Sequence, residues 1–238
     1  MVGLSGNWKK GLVALLGLAT QAGFCAPDLT DLEDRWIEAA WPVVTYARQQ
    51  QLPLDIVVQP QDAYGQPPMA MAYREGRCKL VLSLRGNGAV KASLVGVPQE
   101  LQPVAIETMA AHELGHCWRY VQGAWHTLPA GFVAVDPETD DLELARLMSD
   151  MRETRREEGF ADLVGLAWVA QRHPEHYAQI HSWLSILRDD VPITGSHHDT
   201  RVWLRRAVQP AVFDAGDEAS TVFEKALVIW RTGLVVAY

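Results

Sequence analysis

Five stretches of the chain repeat apolar residues at the three- and four-residue spacing of an amphipathic α-helix. The first covers residues 29–50, where Thr30 or Asp31 can cap the helix and Pro42 can bend or end it. The other predicted helices cover residues 103–123, 137–172, 174–190 and 220–235. A break in the longest of them, around residues 152–156, is left open by the pattern. The C-terminal part of the chain is therefore predicted to be helical.

Short runs of alternating or β-branched residues predict strands before the second helix. Residues 54–58 are predicted to form one strand, and residues 69–73 and 78–84 to form a hairpin around a turn at 74–77. A further short strand is expected within residues 89–97. Together with the helices, these strands predict an α+β fold with a small, mostly antiparallel sheet.

The N-terminal 26 residues differ in pattern from the rest of the chain. Lys9 and Lys10 precede an apolar run at residues 11–20, and small residues follow, which is the order of a secretory signal peptide. The run of about 10 residues is too short to span a bilayer, for which about 20 are needed. The alternative is an N-terminal amphipathic or buried helix. We expect residues 1–26 to be a signal peptide and residues 27–238 to form a single periplasmic or secreted domain.

The sequence around the predicted cleavage site bears on anchoring. Thr20 and Ala22 provide the small residues needed for cleavage after Ala22, whereas cleavage after Ala26 would put Phe24 at the −3 position. Phe24 also stands directly before Cys25, which argues against a lipoprotein anchored through that cysteine. The mature chain is therefore expected to carry neither a lipid anchor nor a transmembrane segment.

Two further cysteines, Cys78 and Cys117, remain in the mature chain. In an oxidising compartment an even pair of cysteines can form a disulfide. The alternative of two buried thiols stays open, because the sequence does not give the distance between them. Cys117 is not expected to bind a metal together with His116, since it is rotated about 100° around the helix from that histidine and points elsewhere.

Composition and charge narrow the function classes. The 238 residues are 48% hydrophobic and 21% charged, which suits a globular protein with a sizeable core. The formal net charge is −8 and no block of Lys or Arg occurs, so nucleic acid is not expected as a partner. The oligomeric state is left open by the sequence.

The most informative motif is the stretch His112-Glu113-Leu114-Gly115-His116 within the second predicted helix. Residues four apart stand on the same face of an α-helix, so His112 and His116 can direct their imidazoles at one point. Two converging imidazoles suit Zn²⁺, and Glu113 is placed to reach a water molecule on the metal. A surface helix that happens to carry two histidines is the alternative. The pattern favours a zinc site for hydrolysis.

Two carboxylates one helical turn apart, Glu158 and Asp162, follow in the stretch 137–172. They lie in an otherwise apolar segment, where carboxylates are costly to bury unless a positive group faces them. A zinc ion and its histidines would be such a partner. The alternative, a solvated acidic face, suits the neighbouring Glu157 better than Glu158.

The combination of HExxH with a later ExxxD resembles the gluzincin class of zinc metallopeptidases. Within that class the chain is most similar to the HtpX and CAAX prenyl protease type, whose third motif is a Ser-His-Pro-like segment followed by arginine. Residues 196–201, Ser-His-His-Asp-Thr-Arg, occupy that place here, with His198 where the family usually has proline. The resemblance implies a zincin-like fold, in which the small sheet packs on the active-site helix.

The resemblance also implies roles for individual residues. His112, His116 and Glu158 would bind one catalytic zinc ion, and Asp162 would accept a hydrogen bond from a ligand histidine. Glu113 would be the general base toward the zinc-bound water.

The third motif and the hairpin have implied roles as well. His197, or else His198, would stabilise the oxyanion, and Arg201 would either help or simply pair with Asp199. The hairpin arm at residues 79–84 would be the strand that pairs with an extended peptide substrate.

Taken together, these patterns predict an exported zinc metalloendopeptidase that acts on peptide or protein substrates. Two alternatives remain open at this point. One is a zincin-fold protein for binding or chaperone-type work with little turnover. The other is a zinc amidase that acts on cell-wall material.

Overall fold

The structure is a computed structural model, and it describes residues 28–59, 66–134, 137–189, 195–214 and 220–234. The predicted signal peptide, its alternative cleavage sites and Cys25 lie outside the described residues. No helix in the described part of the chain is long and apolar enough to cross a membrane.

The first helix, α1 (Asp31–Gln49), begins where the sequence predicts. The Thr30 side chain accepts a hydrogen bond from the Glu33 backbone, and the Glu33 carboxylate accepts one from the Thr30 backbone, which forms a capping box. Pro42 lies inside the helix and does not end it. The buried face of α1 consists of residues spaced three and four apart, namely Trp36, Ala40, Val43, Val44 and Ala47.

Three strands form a single mixed sheet: β1 (Leu54–Val58), β2 (Met69–Arg74) and β3 (Arg77–Leu82). β3 lies in the centre, paired parallel with β1 and antiparallel with β2. The prediction of a mostly antiparallel sheet is therefore wrong for one of the two strand pairs. The central place of β3 also contradicts the substrate-pairing role predicted for residues 79–84, because neighbouring strands occupy both of its edges. β2 is an edge strand.

The remaining helices follow the sheet. They are α2 (Ala89–Ser93), α3 (Gln102–Val121), α4 (Leu142–Arg172), α5 (Tyr177–Asp189), α6 (Arg201–Leu204) and α7 (Val222–Leu234), with 3₁₀ turns at Gln99–Leu101, Pro174–His176 and Pro210–Asp214. The strand predicted within residues 89–97 is wrong, since a short helix forms there. Its first turn is set by Asn87, whose side-chain oxygen accepts a hydrogen bond from the Ala89 N–H. Helix α4 runs through residues 152–156 without a break.

Helix α3 occupies the middle of the molecule. It packs against α1 and the sheet on one side and against α4 on the other. The Cys78–Cys117 disulfide joins β3 to α3, and both cysteines are fully buried. The molecule is thus an α+β protein whose central helix carries the HExxH motif, with α4 to α7 forming the helical C-terminal part.

An ion pair at the first turn of α1 gives a prediction for how stability depends on pH. Arg85 donates to both Glu33 carboxylate oxygens at 2.8 Å, and Glu33 is 0% exposed. The hydrogen bonds from Arg85 lower the pKa of Glu33 from 4.5 to about 2. A carboxylate with a lowered folded-state pKa stabilises the protein fully above its unfolded-state pKa, and the stabilisation is lost as the pH falls towards the folded-state pKa.

We therefore expect Glu33→Gln to lower the free energy of unfolding at pH 7. The difference between the wild type and the variant should be about 2 kcal/mol smaller at pH 3 than at pH 7. Urea unfolding of both proteins at the two pH values measures the change. The matched control is Glu38→Gln at an exposed position of the same helix. The same difference in the free energy of unfolding at both pH values would contradict the prediction.

Candidate metal centre

Helices α3 and α4 pack so closely that side chains from both reach one point. A Cβ atom added at Gly115 on α3 would lie 3.1 Å from the Cα atom of Ala161 on α4. A Cβ atom added at Gly165 on α4 would lie 3.1 Å from the carbonyl oxygen of Thr108 on α3. Ordinary carbon contacts are about 3.5–4.0 Å, so the two glycines permit this helix spacing.

The structure brings the three predicted metal ligands together. The Nε2 atoms of His112 and His116 are 3.1 Å apart. One carboxylate oxygen of Glu158 lies 3.5 Å from the Nε2 atom of His112, and the other lies 3.4 Å from that of His116. All three side chains are buried or half-buried. We call these three residues the ligand cluster.

The spacing of the ligand cluster fits a tetrahedral zinc ion. Nitrogen and oxygen ligands bound at about 2.0–2.1 Å in a tetrahedron lie about 3.3–3.4 Å from one another. The three observed separations, 3.1, 3.4 and 3.5 Å, lie around that value. Two imidazole lone pairs at 3.1 Å repel each other unless a cation or a proton lies between them. Both the donor atoms and their distances therefore suit zinc.

Asp162 orients one ligand from behind. Its Oδ1 atom is 2.9 Å from the Nδ1 atom of His112. Because a carboxylate can only accept, this bond puts the proton on Nδ1 and leaves Nε2 free for a metal. Arg188 on α5 donates to both Asp162 oxygens at 2.7 and 2.9 Å, and the Thr200 hydroxyl donates to one of them at 2.6 Å. Three elements of the fold thus hold this carboxylate in place.

Burial and charge oppose each other in the ligand cluster. Burial acts to lower the pKa of His112, but hydrogen bonds to Asp162 and Glu158 raise it to about 10. Burial acts to raise the pKa of Glu158, but hydrogen bonds from His112 and His116 hold it well below its usual range. The pKa of Asp162 is also lowered, because Arg188 and His112 outweigh its burial. The cluster favours a bound positive charge, for which a metal competes with a proton.

Glu113 lies next to the ligand cluster and faces β2. Burial raises its pKa, while His112, His116 and a backbone hydrogen bond from Met71 act in the opposite direction. A carboxyl group whose pKa is raised towards neutrality can both accept and donate a proton during a reaction. The environment of Glu113 therefore suits general acid–base work.

The outer edge of β2 borders the same site. The Ser83 N–H donates to the Pro68 carbonyl, so this pair is hydrogen-bonded across the two strands. Backbone groups alternate along an antiparallel strand, so those of Met69, Met71 and Tyr73 point away from β3. No strand within the described ranges pairs with this edge. β2 consequently offers backbone donors and acceptors beside Glu113.

A cleft of about 940 Å³ opens over the ligand cluster. Apart from the cluster its lining is mainly apolar, with Met69, Met71, Met109, Met151, Trp183, Leu184 and Leu187 among the lining residues. At one end Trp125 stacks on Tyr120 at 4.0 Å and meets the His116 ring edge-on at 5.5 Å. The site is thus set in a cleft that can receive apolar groups.

The third motif reaches the site through His198. The Nε2 atom of His198 lies 3.8 Å from the Glu158 carboxylate, and burial lowers the pKa of His198. The ring of His197 lies 4.2 Å from that of His198 at a tilt of 57°. His197 also lines the cleft, but among the described contacts it makes none with the ligand cluster. The contact with Glu158 favours His198 over His197 for the oxyanion role, which stays a prediction. Arg201 pairs with Asp199 at 2.7 Å, which is the simpler of its two predicted roles.

Glu157 is not on a solvated face, as the sequence analysis suggested. It is 1% exposed and accepts two hydrogen bonds from Arg119 at 2.8 Å. It also accepts one from the His126 N–H at 2.9 Å, which ties the loop that carries Trp125 to α4. Glu157 and Glu158 thus have separate tasks on neighbouring faces of the helix: Glu157 fixes the loop and Glu158 faces the histidines.

Sequence reasoning missed Arg188 and Thr200, the residues that hold Asp162. Arg188 is one arginine within a predicted helix and belongs to no recognisable motif. Thr200 lies within the third motif, residues 196–201, but the motif assigns no role to its hydroxyl. The available indication was indirect, since a buried Asp162 requires positive or donor groups in addition to one histidine. Tyr120 and Trp125 were likewise missed as residues of the cleft.

The chain was compared with protein-family models, with curated proteins and with solved structures. None of the three comparisons found a match. The assignment of a function consequently depends on the chemistry of the site.

Proposed function

We propose that this protein is a zinc-dependent metallopeptidase of the gluzincin type with a zincin-like fold. The observation that supports it best is the ligand cluster itself, in which two imidazoles and one carboxylate face one another at the separations of a tetrahedral metal ion. Glu113 stands beside this cluster, and the resemblance seen in the sequence concerns the same residues. His112, His116 and Glu158 would hold the zinc ion.

Zinc, when bound, supplies a Lewis acid and lowers the pKa of a water molecule. Glu113 acts as the general base that takes a proton from the attacking water and later delivers it to the leaving amine. Asp162 keeps His112 in the tautomer that binds metal, and Arg188 keeps Asp162 charged and in place. The Nε2 atom of His198 lies 3.8 Å from the Glu158 carboxylate, and in this proposal it stabilises negative charge on the substrate carbonyl oxygen.

The edge of β2 provides the binding site for the peptide backbone in this proposal. An extended peptide that adds to an exposed strand edge forms main-chain hydrogen bonds, which depend little on its sequence. Met69 and Tyr73 offer their backbone groups and Met71 offers its carbonyl, while the Met71 N–H donates to Glu113. A bound peptide would thus lie with its backbone next to the general base.

Export is part of the proposal. Disulfides persist in oxidising compartments, and the Cys78–Cys117 disulfide agrees with a periplasmic or secreted enzyme. The predicted signal peptide points the same way.

The test is a hydrolysis assay on a peptide library with purified protein, together with its metal content. We expect one zinc ion per chain, loss of hydrolysis after chelation, and recovery when one equivalent of Zn²⁺ is returned. Bound zinc without turnover of any peptide would instead indicate a binding or chaperone-type protein. Release of fragments from peptidoglycan, with peptides left intact, would indicate a cell-wall amidase. Either result would overturn the peptidase proposal.

A further inference from the structure

The first three turns of α4 carry an exposed apolar face. Leu144 is 46% exposed, Leu147 56% and Met148 36%, and Met151 is half-buried. Positions 144, 147, 148 and 151 follow the i, i+3, i+4, i+7 spacing that puts side chains on one face of a helix. We call these four residues the apolar ridge.

The apolar ridge is continuous with the candidate active site. Leu144, Met151 and Glu158 are spaced seven residues apart, so the ridge lies on the face of α4 that carries Glu158. Met151, the last residue of the ridge, and Thr154, between it and Glu158, both line the cleft. The rise of an α-helix places Leu144 about 21 Å from Glu158 along the axis. An extended chain of about six residues covers that distance.

Most polar residues in these turns lie on the other side of the helix, namely Glu143, Arg146, Ser149, Asp150 and Glu153. The exposed Leu142 lies there too, whereas Arg152 follows Met148 by four residues and borders the ridge. A helix with this division normally buries its apolar side, whereas here three of the four ridge residues stay exposed. A contiguous exposed apolar surface of this kind marks a site of interaction.

Methionines concentrate on this surface and in the cleft. Of the six in the chain, Met148 and Met151 belong to the apolar ridge, and Met69, Met71 and Met109 line the cleft, as Met151 also does. Met1 is the remaining one. The unbranched, polarisable methionine side chain adapts to differently shaped apolar partners. The surface therefore suits apolar segments of varied sequence.

We propose that the apolar ridge is the docking surface for an apolar segment of an extended, unfolded polypeptide substrate. This inference rests on the proposed peptidase function, since the occupant is inferred from the continuity of ridge and cleft. The acidic residues that begin this helix and the loop before it, Glu138, Asp140, Asp141 and Glu143, disfavour an anionic lipid surface as the occupant. The ridge extends the contact with substrate well beyond the residues at the scissile bond.

The test measures binding of a fluorescein-labelled, reduced and carboxymethylated lactalbumin, which stays unfolded, to the full-length Glu113→Gln protein by fluorescence anisotropy. The Leu147→Ser, Met148→Ser double variant is expected to raise the Kd at least about tenfold, because two apolar contacts are lost. Val228→Ser removes a 48% exposed apolar side chain from α7 and should leave the Kd unchanged. Hydrolysis of a short peptide should be unchanged when the ridge alone is altered in the otherwise native protein.

Other outcomes would overturn the inference. One is that the protein with the unaltered ridge does not bind the polypeptide, and another is that the ridge variant binds it with the same affinity. The others are a dimer in light scattering, or binding to anionic vesicles, that the ridge variant loses. If one of these outcomes is found while short peptides are still cleaved in a zinc-dependent manner, the docking inference fails and the peptidase proposal stands. Ridge-dependent binding without any hydrolysis would refute the peptidase function and leave the docking surface standing.

Discussion

Glu113→Gln is expected to lower kcat/KM for peptide hydrolysis by about 10²–10⁴-fold while the zinc content stays at the wild-type value. Glutamine has nearly the shape of glutamate, but its amide does not accept a proton near neutral pH. The ligand cluster is untouched, because Glu113 is not one of the three side chains whose donor atoms converge. The main-chain edge of β2 is also unchanged, so KM should change much less than kcat.

Steady-state kinetics on the best library peptide, with metal analysis of the same sample, measure this effect. Glu100→Gln, at an exposed position in the turn before α3, serves as the control for a Glu-to-Gln change. Wild-type turnover by zinc-loaded Glu113→Gln would show that this carboxylate is not the general base.

Glu158→Ala is expected to weaken zinc binding at least about a hundredfold and to abolish hydrolysis at limiting zinc. Loss of a residue that merely orients a metal ligand costs about 10–100-fold in affinity, so removing a ligand should cost no less. The two imidazoles that remain also lose the carboxylate that faces both of them, at 3.5 and 3.4 Å.

Glu157→Ala should behave in the opposite way. It leaves the Arg119 guanidinium buried without its carboxylate, which costs about 3–5 kcal/mol in the free energy of unfolding. The fraction that stays folded should retain zinc. Competition with a chromophoric chelator and thermal unfolding of both variants separate the two effects. Equal zinc affinity in Glu157→Ala and Glu158→Ala would refute the ligand assignment.

The sequence predicts what depends on local spacing. Apolar periodicity locates α1, α3, α4, α5 and α7, and the two-residue alternation locates the hairpin. The same local spacing predicts the candidate ligands, because residues four apart share one face of a helix. This holds for His112 and His116 and for Glu158 and Asp162.

What escaped prediction depends on long-range packing. β1 pairs with β3 across the intervening β2, which no local pattern specifies. Glu157 is separated from Glu158 by one residue step, about 100° of helix rotation, and only the position of Arg119 makes it a buried partner. Which of His197 and His198 lies nearer to Glu158 depends on how the turn before α6 folds.

The close approach of α3 and α4 has a consequence for metal selectivity. The two histidines come from one helix and the glutamate from the other, so the opening between the ligands is set by the distance between two rigid backbones. Calcium needs oxygen ligands at about 2.3–2.6 Å, whereas zinc accepts nitrogen at about 2.0–2.1 Å. Gly115 and Gly165 keep the helices close, and under the proposed function this spacing would favour zinc over the larger calcium ion. A methyl group at Gly115 would widen the helix spacing without contacting any of the three side chains, whereas one at Gly165 would also lie 3.8 Å from the His112 Cβ atom.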